Sequence, residues 1–112
     1  TLTKTMKEVI FNVADYKTPY ETYKDFYKDI FIKLDGEHNI DFAEMPDLHF
    51  HADILNEFMW YNSDNDLKLV FVGLDLDKIQ ARKTYDDYEW GLIVKIMKRF
   101  VERYPNNTLE FR

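Results

Sequence analysis

The chain has 112 residues, a formal net charge of -6 and no cysteine. That length supports one hydrophobic core and is too short for two, the missing cysteines exclude disulfides and thiolate metal sites, and the acidic balance argues against gripping nucleic-acid phosphates directly. The apolar runs fall short of the roughly 20 residues that span a bilayer, and the first residues lack the charged-then-apolar order of a signal peptide, so a soluble, cytoplasmic protein is expected.

Glu8 to Val13 mixes Val, Ile and Phe with little polarity, the composition of a short, mostly buried strand. Thr18 and Pro19, with Glu21 three residues after Thr18, have the spacing of a capping box, so a helix is expected from about Pro19 to Ile32. Tyr20, Tyr23, Phe26, Tyr27, Ile30 and Phe31 recur along it at helical steps and supply its packing face. Leu34 to Asp47 reads as a long loop, with a small hairpin pairing Ile30–Lys33 with Ile40–Phe42 as one option. A second helix is expected from Phe50 or Asp53 to Tyr61, with Ile54, Leu55, Phe58, Met59 and Tyr61 on one side and Asp53, Asn56, Glu57 and Trp60 on the other. The polar run Asn62 to Asp66 ends it, and Leu67 to Leu74 has the Val- and Phe-rich composition of a central strand.

Asp75 to Arg82 suggests a short helix or edge segment with Leu76 and Ile79 pointing inward. The last helix follows, capped by Asp86 and Asp87, with Lys95, Lys98, Arg99 and Arg103 toward the negative end of its dipole. Leu92, Ile93, Ile96, Met97, Phe100, Val101 and Tyr104 make its buried stripe, Pro105-Asn106-Asn107 stops it, and Thr108 to Phe111 forms a final strand. Strands alternating with helices imply an α/β fold: a small parallel sheet of about three strands packed with helices, in a single domain over 1–112.

Charge is unevenly placed along this pattern. Between Lys33 and Lys68 stand nine carboxylates (Asp35, Glu37, Asp41, Glu44, Asp47, Asp53, Glu57, Asp64, Asp66) and no Lys or Arg. One-sided charge of this density attracts cations or a basic partner. The same stretch holds His38, His49 and His51 and ends in Phe58, Trp60 and Tyr61; amphipathic rings beside unpaired acids are a binding-surface composition. Trp90, Tyr85 and Tyr88, set among Asp86, Asp87 and Glu89, extend it, and Glu89 is the acid that helix capping does not explain.

His49-Phe50-His51-Ala52-Asp53 has the opening spacing of a hydrolytic zinc motif but lacks the further His or Cys ligands, so no metal site and no cofactor is expected. Asp53 and Glu57 lie one helical turn apart, yet a glycosidase needs acids on opposite walls of a cleft. Nucleophile elbows, Walker loops and dinucleotide glycine fingerprints are missing from the chain, and an enzyme is not expected.

Asp53-Ile54-Leu55-Asn56-Glu57-Phe58 resembles the Asp-Ala-Leu-Trp-Asp core of the barstar family of ribonuclease inhibitors, and the order of elements around it is similar to that family along nearly the whole chain. The family's Tyr-Tyr-Gly loop is replaced by His49-Phe50-His51, its tryptophan by Asn56, and extra residues around Leu34 to Glu44 precede Pro46. The resemblance implies a barstar-like immunity protein. Its partner-binding residues would be His49, Phe50, His51, Asp53, Asn56, Glu57, Trp60 and Glu89, and its partner a basic protein, a cognate nuclease toxin whose active site the acidic helix and loop block. Two other classes remain open at this stage: an acidic nucleic-acid mimic that inhibits a DNA-binding enzyme, and a small acid-base enzyme with Asp53, Glu57 and a histidine in a closed pocket.

Overall fold

The computed structural model describes the backbone of residues 6–16, 25–26, 29–30, 32–34 and 48–112, with the side chains of these residues except 48–54, 85 and 86. Three strands, β1 (Lys7–Asn12), β2 (Leu67–Val72) and β3 (Thr108–Phe111), pair in the order β1-β2-β3, all parallel. Helical residues at 25–26, 29–30 and 32–34 (α1) and the helix α2 (Leu48–Tyr61) lie between β1 and β2. The helices α3 (Leu76–Ala81) and α4 (Tyr85–Arg103) lie between β2 and β3. This is the expected small parallel α/β sheet packed with helices; parallel neighbours require such crossovers because a tight turn cannot reverse the chain twice.

Alternation along each strand decides which face it buries. In register, Val9–Leu69–Leu109 and Phe11–Phe71–Phe111 stand on one face, and the helices supply Phe26, Ile30, Leu34, Leu55, Phe58, Met59, Ile79, Trp90, Ile93, Met97 and Phe100 against it. Phe11, Phe26 and Phe71 lie with ring centroids 5.1–6.1 Å apart at the centre of this cluster. β1 is thus half-buried where its composition suggests mostly buried, since an edge strand leaves alternate residues such as Ile10 outside. β2 is central and buries Leu67, Leu69, Val70 and Phe71. On its other face Lys68 sits between Glu8 (3.8 Å) and Glu110 (3.6 Å), and Arg112 reaches Glu110 (3.0 Å) and Glu8 (3.8 Å). Exposed pairs of this kind contribute little to stability and serve more to keep the sheet face soluble.

Phe26, Ile30 and Leu34, four residues apart, are the buried row of α1. Residues 30 and 32–34 are helical, so the first arm of the hairpin option is instead the continuation of α1, and Leu34, expected to open the loop, is a buried helical residue; Ile40–Phe42 and the proposed caps Thr18 and Pro19 lie outside the described residues. Lys33 fastens the end of α1 to the sheet edge by donating to the Ile10 carbonyl (2.6 Å) while paired with Asp29 (2.8 Å). The Tyr16 hydroxyl donates to the same Asp29, and burial together with that carboxylate holds the phenol well above its ordinary range.

β2 ends at Gly73, whose φ of +87° suits glycine, and Asp75 then caps α3 through the Lys78 N–H (3.1 Å). Ile79 points inward, but Leu76 is exposed, because a six-residue helix has only one turn's width to bury. The cap of α4 is Thr84, which accepts from Asp87 N–H (3.1 Å); Asp86 and Asp87 occupy its first turn and do not cap it. Among the described residues, no helix is long and apolar enough to cross a membrane.

Asn107 locks the strand ends together. Its Oδ1 accepts from Leu67 N–H (2.8 Å), and its Nδ2 donates to the carbonyls of Ser63 (2.9 Å) and Tyr104 (3.1 Å), all with the residue buried. Asn107→Ala strands these groups in a dry place and is expected to cost about 2–3 kcal/mol in urea unfolding. The exposed neighbour Asn106, which donates to Ser63 (2.8 Å) and Asp66 (3.1 Å), is expected to cost under about 1 kcal/mol. Equal losses at the two positions would show that burial of the asparagine is irrelevant.

Candidate functional site

Leu48, Ala52, Leu55 and Met59 are spaced at four, three and four residues, and neither Gly nor Pro interrupts 48–61. The helical stripe therefore begins before the acidic segment does. α2 accordingly starts at Leu48, before either expected start at Phe50 or Asp53, and His49, Phe50 and His51, expected in place of the family's loop, belong to its first turns. The backbone of Asp53 follows in the same helix; the side chains of His49, Phe50, His51 and Asp53 lie outside those described.

The second half of α2 sorts cleanly. Leu55, Phe58 and Met59 are buried against the sheet, while Asn56, Glu57 and Trp60 are exposed, as the spacing predicts. Tyr61 departs from it: at 64% exposure it stands outside beside Trp60, with ring centroids 4.9 Å apart. The buried position one step on is taken by Asn62, whose Nδ2 donates to the Phe58 carbonyl (2.9 Å) and whose Oδ1 accepts from Asn65 (2.8 Å). A polar group that satisfies the helix end from inside displaces the ring that hydropathy alone would place there.

Asn56, Glu57 and Trp60 form one wall of an open groove of about 930 Å³ whose other wall is the end of α4: Arg99, Glu102, Arg103 and Tyr104. Met59 and Phe100, both buried, make the floor. Glu57 makes no ion pair among the described residues, and neither do Arg99 and Arg103. The α2 wall thus carries one carboxylate, and the α4 wall carries two guanidinium groups and one carboxylate, Glu102. In sequence, Arg99 and Arg103 answer to the helix dipole alone; their spacing of four on the polar face of α4 is the sign that they share one surface.

Glu89 is not part of this surface. It is 1% exposed, and neither carboxylate oxygen has a hydrogen-bond partner among the described residues. Burial alone pushes its pKa from 4.5 up to about 7. Helical spacing accounts for the placement, because 89, 93, 97 and 100 lie on one stripe and Ile93, Met97 and Phe100 are core residues. The expectation that Glu89 extends the partner-binding surface is corrected accordingly. Asp87 is also buried, with Oδ2 lacking a partner among the described residues. Trp90 belongs to the core as well, packed on Phe26 (5.4 Å) and Tyr16 (5.9 Å), whereas Tyr88 is exposed.

Of the nine carboxylates between Lys33 and Lys68, the side chains of Glu57, Asp64 and Asp66 are described, and those of Asp35, Glu37, Asp41, Glu44, Asp47 and Asp53 are not. Among the described residues, no group of three or more His, Asp or Glu is placed to hold a metal ion. Compared with known proteins, the chain matches no family model, no curated protein and no solved structure.

Proposed function

We propose that this chain is an immunity protein that binds a cognate nuclease toxin in the cytoplasm and blocks its active site with the outer face of α2. The observation that supports the reading best is the pairing of Glu57 with Asn56 and Trp60 on the exposed side of a helix anchored by Leu55, Phe58 and Met59. A carboxylate held on a rigid element and free of ion-pair partners among the described residues loses little entropy when it meets a cation, and an exposed tryptophan beside it has the residue type that most often dominates binding energy. A phosphate-binding groove is a natural receptor for such a face, and opposite fields raise association above the roughly 10⁵–10⁶ M⁻¹s⁻¹ of uncharged surfaces. Asp53, His49, Phe50 and His51, on the same helix, complete the proposed contact; Glu89, being buried, is left out of it.

Co-expression with the product of the adjacent upstream gene, followed by co-purification and a nuclease assay, tests this reading. Silencing of that product's nuclease activity by stoichiometric chain supports it. Glu57→Ala and Trp60→Ala are each expected to weaken the complex by about 2 kcal/mol, roughly thirtyfold, without moving the unfolding midpoint. Unaltered affinity in both variants removes the α2 face from the interface.

A further inference from the structure

We infer that the groove between α2 and the end of α4 receives a short partner segment that carries carboxylates for Arg99 and Arg103 and seats an apolar side chain on Met59 and Phe100. The inference rests on the partner reading above and adds a second, oppositely charged contact to it. Arg99 and Arg103 stand one turn apart on α4, both exposed and both without an acid within 4 Å among the described residues. A favourable dipole requires only that positive charge lie near the last carbonyls, and it leaves both guanidinium forks unused.

Complementarity then constrains the occupant. A partner bearing only cations for Glu57 brings like charge against Arg99 and Arg103 across the same groove, where the α4 wall keeps one net positive charge with Glu102 counted, and like charge in a desolvating contact is unfavourable. Carboxylates beside those cations remove the conflict, and Arg receives them in bidentate geometry that Lys does not reproduce. The floor of Met59 and Phe100, with Tyr104 at its edge, offers an apolar seat ringed by polar groups, the arrangement in which anchoring side chains contribute most. A volume of about 930 Å³ accommodates a few side chains of one segment of the partner.

The test uses the full chain and the upstream-gene nuclease, with affinities measured for wild type, a Glu57→Ala/Trp60→Ala double variant, an Arg99→Glu/Arg103→Glu double variant and, should the reversal unfold, an Arg99→Gln/Arg103→Gln double variant. The reversal is expected to weaken binding about a hundredfold, with far-UV circular dichroism unchanged, and the neutral pair about tenfold. Lys in place of one nuclease carboxylate is expected to restore affinity to the reversal variant. Wild-type affinity in both arginine variants, with loss in the α2 variant, overturns the groove inference and leaves the α2 reading standing. The opposite pattern overturns the α2 reading alone, and failure of the nuclease to bind wild type overturns both. Two other occupants are distinguishable: sedimentation showing a dimer that the reversal dissolves assigns the groove to a second copy, and saturable binding of inorganic phosphate with nuclease affinity unaffected assigns it to a small anion. Either result overturns the inference.

Discussion

Glu89→Gln is expected to raise the free energy of unfolding by about 3 kcal/mol at pH 8 and to leave it within about 0.5 kcal/mol of wild type at pH 4.5. The carboxylate is buried without a partner among the described residues, and its pKa moves from 4.5 in the unfolded chain to about 7 in the folded one. Between those values the folded state holds a proton that the unfolded state has released, so stability falls as pH rises through that window, by roughly 3 kcal/mol for this shift. Below pH 4.5 both states are protonated and the penalty is gone. Glutamine matches the neutral acid in shape and cannot ionise, which flattens this part of the pH dependence. Urea unfolding of both proteins at pH 4.5, 6 and 8 isolates the effect, because every other titrating group is common to the pair. Parallel curves across that range would show that Glu89 reaches water or a cation when charged. Glu89→Met goes further: it also removes the unpaired polar atoms, and it is expected to be at least as stable as the glutamine variant at every pH.

Phe71→Ala is expected to lower stability by about 3–5 kcal/mol, the largest loss from any single change considered for this chain. Phe71 is fully buried at the middle of β2, with the rings of Phe11 (5.1 Å), Phe111 (6.0 Å) and Phe26 (6.1 Å) around it. Truncation leaves a void walled by both edge strands and α1, and rings on a parallel sheet cannot close inward without breaking register. Against a typical stability of about 5–15 kcal/mol, the variant sits near the unfolding threshold. Phe71→Leu keeps most of the volume and is expected to cost about half as much or less. Urea unfolding with unchanged m-values checks both; a loss under about 1 kcal/mol for the alanine variant would mean the cluster repacks freely.

The contrast between Glu57 and Glu89 bears on function. Both are acids in helices, and composition counts them alike. One lines an open groove and the other lies in the interior beside the row Ile93, Met97 and Phe100. An acidic chain therefore presents less negative charge to a partner than its sequence suggests, and the α2 surface meets two arginines that net charge conceals.

Much of the architecture was legible because it is local. The Val- and Phe-rich run of β2, the helical spacing of Phe26 and Ile30, the long stripe of α4 and the last strand at Thr108 are set by periodicity within single elements, and alternation of strands with helices then leaves the parallel sheet as the economical arrangement. The exposed set Asn56, Glu57 and Trp60 was legible for the same reason. What the tertiary structure alone decided are matters of which face meets which neighbour. Tyr61 turns outward because Asn62 closes the helix from within, Glu89 and Trp90 turn inward because the first turns of α4 pack into the core, and Arg99 and Arg103 join Glu57 because the end of α4 lies along α2. Asn107 reads as a helix stop in sequence and becomes a three-way lock only once Leu67, Ser63 and Tyr104 converge on it. Periodicity within one element carries no information about contacts forty residues away, and those contacts determine whether a charge is presented, paired or buried.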